Sequence, residues 1–183
     1  PGIKTLDEKP IYAGLIIGTI GYNKYIDDLI SKNILNVSNI QKKRESFVIQ
    51  VINNPEFKNK KLLIIAGSDK RGTIYGMFHF AEHLGVSPWY WWADVPVKKR
   101  MEAHITAEYV SSEPVVEYRG IFINDEAPAL TGWVLENYGG FNAQFYEKVF
   151  ELILRLKGNF LWPAMWGSAF NNDDPQNPIL ANE

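Results

Sequence analysis

The stretch that decides the fold is Val115-Val116-Glu117-Tyr118-Arg119-Gly120-Ile121-Phe122-Ile123-Asn124, followed at once by Asp125-Glu126-Ala127-Pro128. Its β-branched and aromatic residues read as a strand, and the acidic, proline-containing run reads as the loop that ends it. A long loop rich in glycine and aromatics then runs to Gly140. Asn142 is placed to cap a helix through Lys157, and Gly158 to stop it. Phe145, Val149, Leu152, Ile153 and Leu156 recur at helical spacing and predict its apolar face. Asn159 to Trp162 starts another strand, which ends in Pro163 and a second aromatic-rich loop. Strand, loop, helix, strand, loop is the opening of a β/α barrel or a doubly wound sheet. A barrel takes about 250 residues, so residues 117–183 have room for about two of its eight units. The expectation is a truncated barrel, with the remainder of its own barrel as its missing partner.

Upstream, Ile11 to Ile20 and Ser46 to Ile52 read as strands, and Lys61 to Ala66 as a strand covered on both faces. Lys24 to Lys32 reads as a short helix. A second helix is capped by Ser68 or Asp69 and ended by Gly85, with Ile74, Met77, Phe78, Ala81 and Leu84 as its expected buried stripe. Gly72 and Gly76 suggest close packing of that helix on a sheet. The aromatic run from Val86 to Pro96 is expected to be non-helical and to need a surface to pack on. His104 to Val110 looks like a strand, and Ser111-Ser112-Glu113-Pro114 like a linker. The predicted fold class is therefore α/β: an N-terminal α/β sandwich-like domain over 1–113, then the first strands of a (β/α)8 barrel over 114–183.

Composition narrows the function classes. With 183 residues, 46% hydrophobic and 22% charged, the chain has ordinary globular content, which excludes a disordered tail and a coiled coil. The net charge of −2 gives no global basic balance for nucleic acid. The longest apolar run, Gly14 to Ile20, is far short of a membrane helix, so no membrane partner is expected. The absence of cysteine excludes thiolate metal sites and a cysteine nucleophile. The start at Pro1, with no Met and no signal segment, suggests a piece of something longer. Charge is uneven: residues 1–110 carry 15 basic and 11 acidic side chains, residues 111–183 carry 4 and 10. Carboxylates concentrate where the barrel is expected.

Three motifs are weighed and set aside. His79-Phe80-Ala81-Glu82-His83 matches the inverted zinc-peptidase motif. Helical geometry, however, turns both histidines away from the expected apolar stripe, and no third ligand is fixed, so no metal is expected. Gly67 and Gly72 have the spacing of a phosphate-binding loop, but Thr73 stands where it needs lysine, so a capped strand-to-helix turn is expected. Asn171-Asn172-Asp173-Asp174 has groups for sugar hydroxyls or calcium, but it lacks calcium-loop spacing and reads as a solvated turn.

The carboxylates after the 115–124 strand are the best catalytic candidates, because barrel chemistry sits at C-terminal strand ends. Strand parity puts Arg119, Ile121, Ile123 and Asp125 on one face and Tyr118, Gly120, Phe122, Asn124 and Glu126 on the other. If strand geometry persists, only one of Asp125 and Glu126 points at the barrel mouth. A loop carboxylate that caps backbone N–H groups is the alternative for Asp125. Trp162 and Trp166 flank the next strand end, where indoles stack on the C–H faces of sugar rings; core packing is their alternative.

Taken together, the run from Gly67 to Arg100 with Trp89-Tyr90-Trp91-Trp92-Ala93-Asp94, the run from Tyr118 to Glu126, and Phe160-Leu161-Trp162-Pro163-Ala164-Met165-Trp166 resemble glycoside hydrolase family 115, the xylan α-1,2-glucuronidases. The resemblance implies an N-terminal α/β domain feeding a catalytic β/α barrel. It implies inverting hydrolysis that removes (4-O-methyl)glucuronic acid from glucuronoxylan or its oligosaccharides. Asp125, with Glu126 second, would be the catalytic-site carboxylate, as base or as sugar-binding group, and the paired acid would lie beyond Glu183, leaving this portion inactive by itself. Asn124, Arg119, Trp162 and Trp166 would bind substrate, Arg119 through the uronate carboxylate. The resemblance calls for no cofactor and implies a periplasmic or secreted bacterial protein; homodimerisation stays open. A non-catalytic carbohydrate-binding module and a hexosaminidase-like glycosidase are the alternatives.

Overall fold

The structure is a computed structural model that describes residues 14–97, 99, 102–104 and 108–183. The chain divides into two compact units, Pro1–Val115 and Val116–Glu183.

In the first unit, β1 (Leu15–Thr19), β2 (Phe47–Asn53), β3 (Lys61–Gly67) and β4 (Tyr109–Val110) form one sheet in the order β1-β3-β2-β4. β1 runs parallel to β3, with Ile16 opposite Ile64. β2 is antiparallel to β3 and to β4. β2 and β3 are nearly continuous apolar runs because both faces are covered. One face carries Val48, Leu62 and Ile64 against Ile26 and Leu29 of α1 (Lys24–Ser31) and Ile40 of the following loop. Asn23 starts α1 by accepting from the N–H groups of Tyr25 and Ile26. Of the strand expected from Ile11, residues 11–13 lie outside the described residues, as do 105–107 of the one expected from His104 to Val110.

α2 (Lys70–His83) covers the other face, but not with the stripe expected of it. Gly72, Thr73, Tyr75, Gly76 and His79 are its buried residues, while Met77 is 40% exposed. The physical reason is distance. A Cβ on Gly72 would stand 2.3 Å from the Ser46 carbonyl oxygen, and one on Gly76 would stand 2.7 Å from Ile65 Cγ2. The helix lies so close to the strands that glycines, not the bulkier Ile74 and Phe78, face them. His79 is likewise buried rather than turned away. Its ring lies 4.0 Å from Tyr109 and 5.4 Å from Phe47, centroid to centroid. The 67–72 turn is a cap: Asp69 accepts from Gly72 N–H at 2.7 Å and from Glu45 N–H at 2.7 Å. The expected linker at 111–114 is tied to this unit. Ser111 exchanges bonds with Phe47, and Glu113 accepts from Arg44. In the aromatic run, Trp89 and Trp91 are nearly half exposed.

The second unit is built on β5 (Gly120–Phe122) and β6 (Phe160–Trp162), a parallel pair with Gly120 opposite Phe160 and Phe122 opposite Trp162. Between them run α3 (Ala129–Tyr138) and α4 (Ala143–Arg155); α5 (Phe170–Asp173) and α6 (Gln176–Asn182) follow. β5 is far shorter than the 115–124 strand expected from sequence. The Arg119 guanidinium donates to the carbonyls of Val116, Glu117 and Lys157, which bends the chain ahead of Gly120 instead of extending it. The expected loop to Gly140 contains α3, which has no side-chain cap at Pro128 and carries Gly132 in its middle. α4 matches its expectation closely. Asn142 caps it and Phe145, Tyr146, Val149, Leu152 and Ile153 are buried, although Leu156 is 43% exposed just past its end.

Burial alternates along β5 and beyond it. Ile123 and Asp125 are buried, whereas Phe122, Asn124 and Glu126 are exposed. On β6, Phe160 and Trp162 share the exposed face. The ring pairs Phe122–Trp162 and Tyr118–Phe160 meet edge to face across that surface, at 5.5 and 6.1 Å.

Candidate active site

Parallel strands in a βαβ unit bring their C-terminal ends side by side, and here those ends are Phe122 and Trp162. The chain leaving β5 passes through Asn124, Asp125 and Glu126; the chain leaving β6 turns through residues 163–168. Asp125 joins the two. The residue is 1% exposed. Its carboxylate accepts from Met165 N–H at 3.2 Å, from Trp166 N–H at 2.9 Å and, more weakly, from the Ser168 hydroxyl at 3.5 Å. The Asp125 carbonyl accepts from the Thr131 hydroxyl at the start of α3. Below the turn, Tyr146 of α4 accepts from Ala164 N–H at 3.2 Å. Thr131, Tyr146 and Ser168 were not singled out by the sequence. The one signal for Tyr146 was a polar ring beside Phe145 on the helix face turned inward.

Trp166 is 63% exposed and Trp162 53%. The Trp162 indole N–H points to Met165 Sδ at 3.1 Å, so one turn seats both indoles. Trp166 also walls a cleft of about 530 Å³ with Gly139, Gly140, Asn142, Gly167 and Asp173. Glu126 and Asn124 are exposed on the Phe122 side of the strand end. Arg119 stands at the other end of β5, its guanidinium held by main-chain carbonyls. The structure thus brings Asn124, Asp125, Glu126, Trp162 and Trp166 to one end of the pair and sets Arg119 apart from them. Asp173 and Asp174 are not a simple solvated turn. Asp173 accepts from Ala169 N–H, and Asp174 from the N–H groups of Ala143 and Gln176, which holds its carboxyl below the usual range. Among the described residues, no three His, Asp or Glu side chains converge as a metal cluster would.

Burial pushes the Tyr146 phenol up to about 12. An unfolded tyrosine ionises near pH 10. Between those values the unfolded chain releases a proton that the folded chain keeps, so stability falls as pH rises. Tyr146→Phe is expected to flatten this alkaline loss in thermal unfolding measured from pH 9 to 12; an unaltered slope would refute it.

The family model for glycosyl hydrolase family 115 matches residues 111–183. A solved structure described as a novel family 115 4-O-methyl-α-glucuronidase, with specificity for decorated arabinogalactans, matches with a TM-score of 0.78 and 37% identity. That match covers 92% of this chain and 22% of the other, so the chain spans under a quarter of that structure's length. No curated protein matches. With the tryptophan-bearing turn and the strand ends inside the region matched, residues 111–183 belong to glycoside hydrolase family 115.

Proposed function

We propose that this chain is part of a glycoside hydrolase that removes glucuronic acid, or its 4-O-methyl ether, from plant polysaccharide side chains. The second unit would be the opening of a β/α barrel. The observation that carries the reading is the shared exposed side of the β5–β6 pair, with Phe122, Asn124 and Glu126 from one strand and its exit and Trp162 from the other. In a barrel that side faces the lumen and its C-terminal rim, where chemistry takes place. Glu126 and Asn124 would then reach the sugar directly, and the two indoles would stack on it. Asp125 acts from the buried side.

Inverting hydrolysis needs two carboxyl groups about 6.5–9.5 Å apart, one protonating the leaving oxygen and one activating water. In this reading one is Glu126 and the other is contributed by the rest of the parent protein, so this portion alone is inactive. Such a protein meets its substrate outside the cytoplasm.

Two polymers compete as substrate. Glucuronoxylan follows from the resemblance of the sequence to the xylan α-1,2-glucuronidases. Decorated arabinogalactan is favoured by the specificity of the related structure. The parent protein should be incubated with each, and the released sugar followed by NMR. Release of the β-anomer of (4-O-methyl)glucuronic acid is the expected result, and the faster polymer names the substrate. No release from either, together with polysaccharide binding by residues 1–183 alone, would replace the hydrolase with a binding module.

A further inference from the structure

Among the described residues, the donors on the Asp125 carboxylate come from the turn after β6. Two successive amides, of Met165 and Trp166, aim at its two oxygens, and the Ser168 hydroxyl approaches one of them. Orienting two consecutive N–H groups toward one anion fixes the peptide planes on both sides of Met165, and so the root of the Trp166 side chain. Gly167, at φ 73°, folds the chain back so that Ser168 joins the group. Ala164 is tied from beneath by Tyr146. A carboxylate suits this role better than any neutral isostere. It accepts on both oxygens, whereas an amide would set its NH2 against one of the backbone donors. The buried anion thus ends under an indole that is 63% exposed.

We propose that Asp125 is a positioning residue: its buried carboxylate fixes the 163–168 turn and presents the Trp166 indole to the sugar, while proton transfer falls to other carboxylates. The role at the sugar rests on the hydrolase reading above; the anchoring of the turn does not.

The test uses the full-length parent protein with Asp125→Asn and Tyr146→Phe. Hydrogen exchange over residues 164–168 reads the anchoring without substrate. Steady-state kinetics on a glucuronosylated xylo-oligosaccharide or arabinogalactan fragment read its use. Asp125→Asn is expected to speed exchange of the turn about tenfold or more. It should lower kcat/KM by about 10- to 100-fold, mainly through KM, with both limbs of the pH profile kept. Tyr146→Phe should shift exchange and KM the same way by less, and it decides the matter if Asp125→Asn does not fold. Unchanged exchange in the variants overturns the anchoring. A lost limb of the pH profile with the turn intact makes Asp125 catalytic and overturns the proposal. A loosened turn with KM unmoved does so too. If the parent releases no glucuronic acid from any substrate, the hydrolase reading fails, and the exchange result still decides the anchoring.

Discussion

Gly120→Ala is expected to destabilise the second unit by about 3 kcal/mol or more, enough to lose the β5–β6 pair. The added Cβ would stand 1.7 Å from the Phe160 carbonyl oxygen and 2.4 Å from its carbon. These are main-chain atoms of the paired strand, so no rotamer change relieves the clash and the strands must part. The bonds that flank the position then go as well: Phe160 N–H to the Arg119 carbonyl, and Ile123 N–H to the Trp162 carbonyl. Conformational preference alone argues the opposite sign, since alanine in a strand interior gains about 0.5–1 kcal/mol over glycine. Gly132→Ala is the control. It lies inside α3 with nothing within 4 Å of the new methyl group, and should stabilise by about 0.5–1 kcal/mol. Urea unfolding of both variants separates the cases; equal midpoints would mean that the close approach at Gly120 is wrong.

Gly72→Ala should cost about 2–3 kcal/mol in the first unit, where helix propensity by itself promises a gain of about 1 kcal/mol. Its Cβ would meet the Ser46 carbonyl oxygen at 2.3 Å and the Ser46 nitrogen at 3.0 Å. That carbonyl already accepts from Ser68 N–H, so it cannot swing away freely. Gly76→Ala meets the Ile65 and Phe47 side chains instead. Side chains yield more readily than backbone, and its loss should be about half as large. Thermal unfolding followed by circular dichroism ranks the three proteins. A Gly72→Ala variant as stable as the parent would mean that α2 does not lie this close to β2.

The same geometry explains where the sequence misleads. β2 and β3 were legible as short continuous apolar runs and α1 and α4 as helically spaced ones, and α1, α2 and α4 begin at Asn23, Asp69 and Asn142, whose side chains accept from their first turns. α3 was not legible, since Pro128 offers no side-chain cap and Gly132 breaks the periodic signal. The face of α2 was misjudged because apolarity is a guide to burial only when the neighbouring layer leaves room for side chains. Where backbones nearly touch, the two glycines and His79 go inside and Met77 stays out. At the strand ends, parity was readable beyond β5, through Ile123, Asn124, Asp125 and Glu126. The partners of Asp125 were not, because hydrogen bonds to the backbone of a turn 40 residues on leave no mark on composition or spacing.

The rings of Tyr118, Phe122, Phe160 and Trp162 lie together on a surface with no covering layer among the described residues. Such a surface behaves like grease in water. Prepared alone, these 183 residues should bind apolar dyes, sediment as clumps at modest concentration, and need detergent or a fused carrier to stay dispersed. Handling of the recombinant piece is therefore governed by this surface more than by the well-filled interior of the first unit.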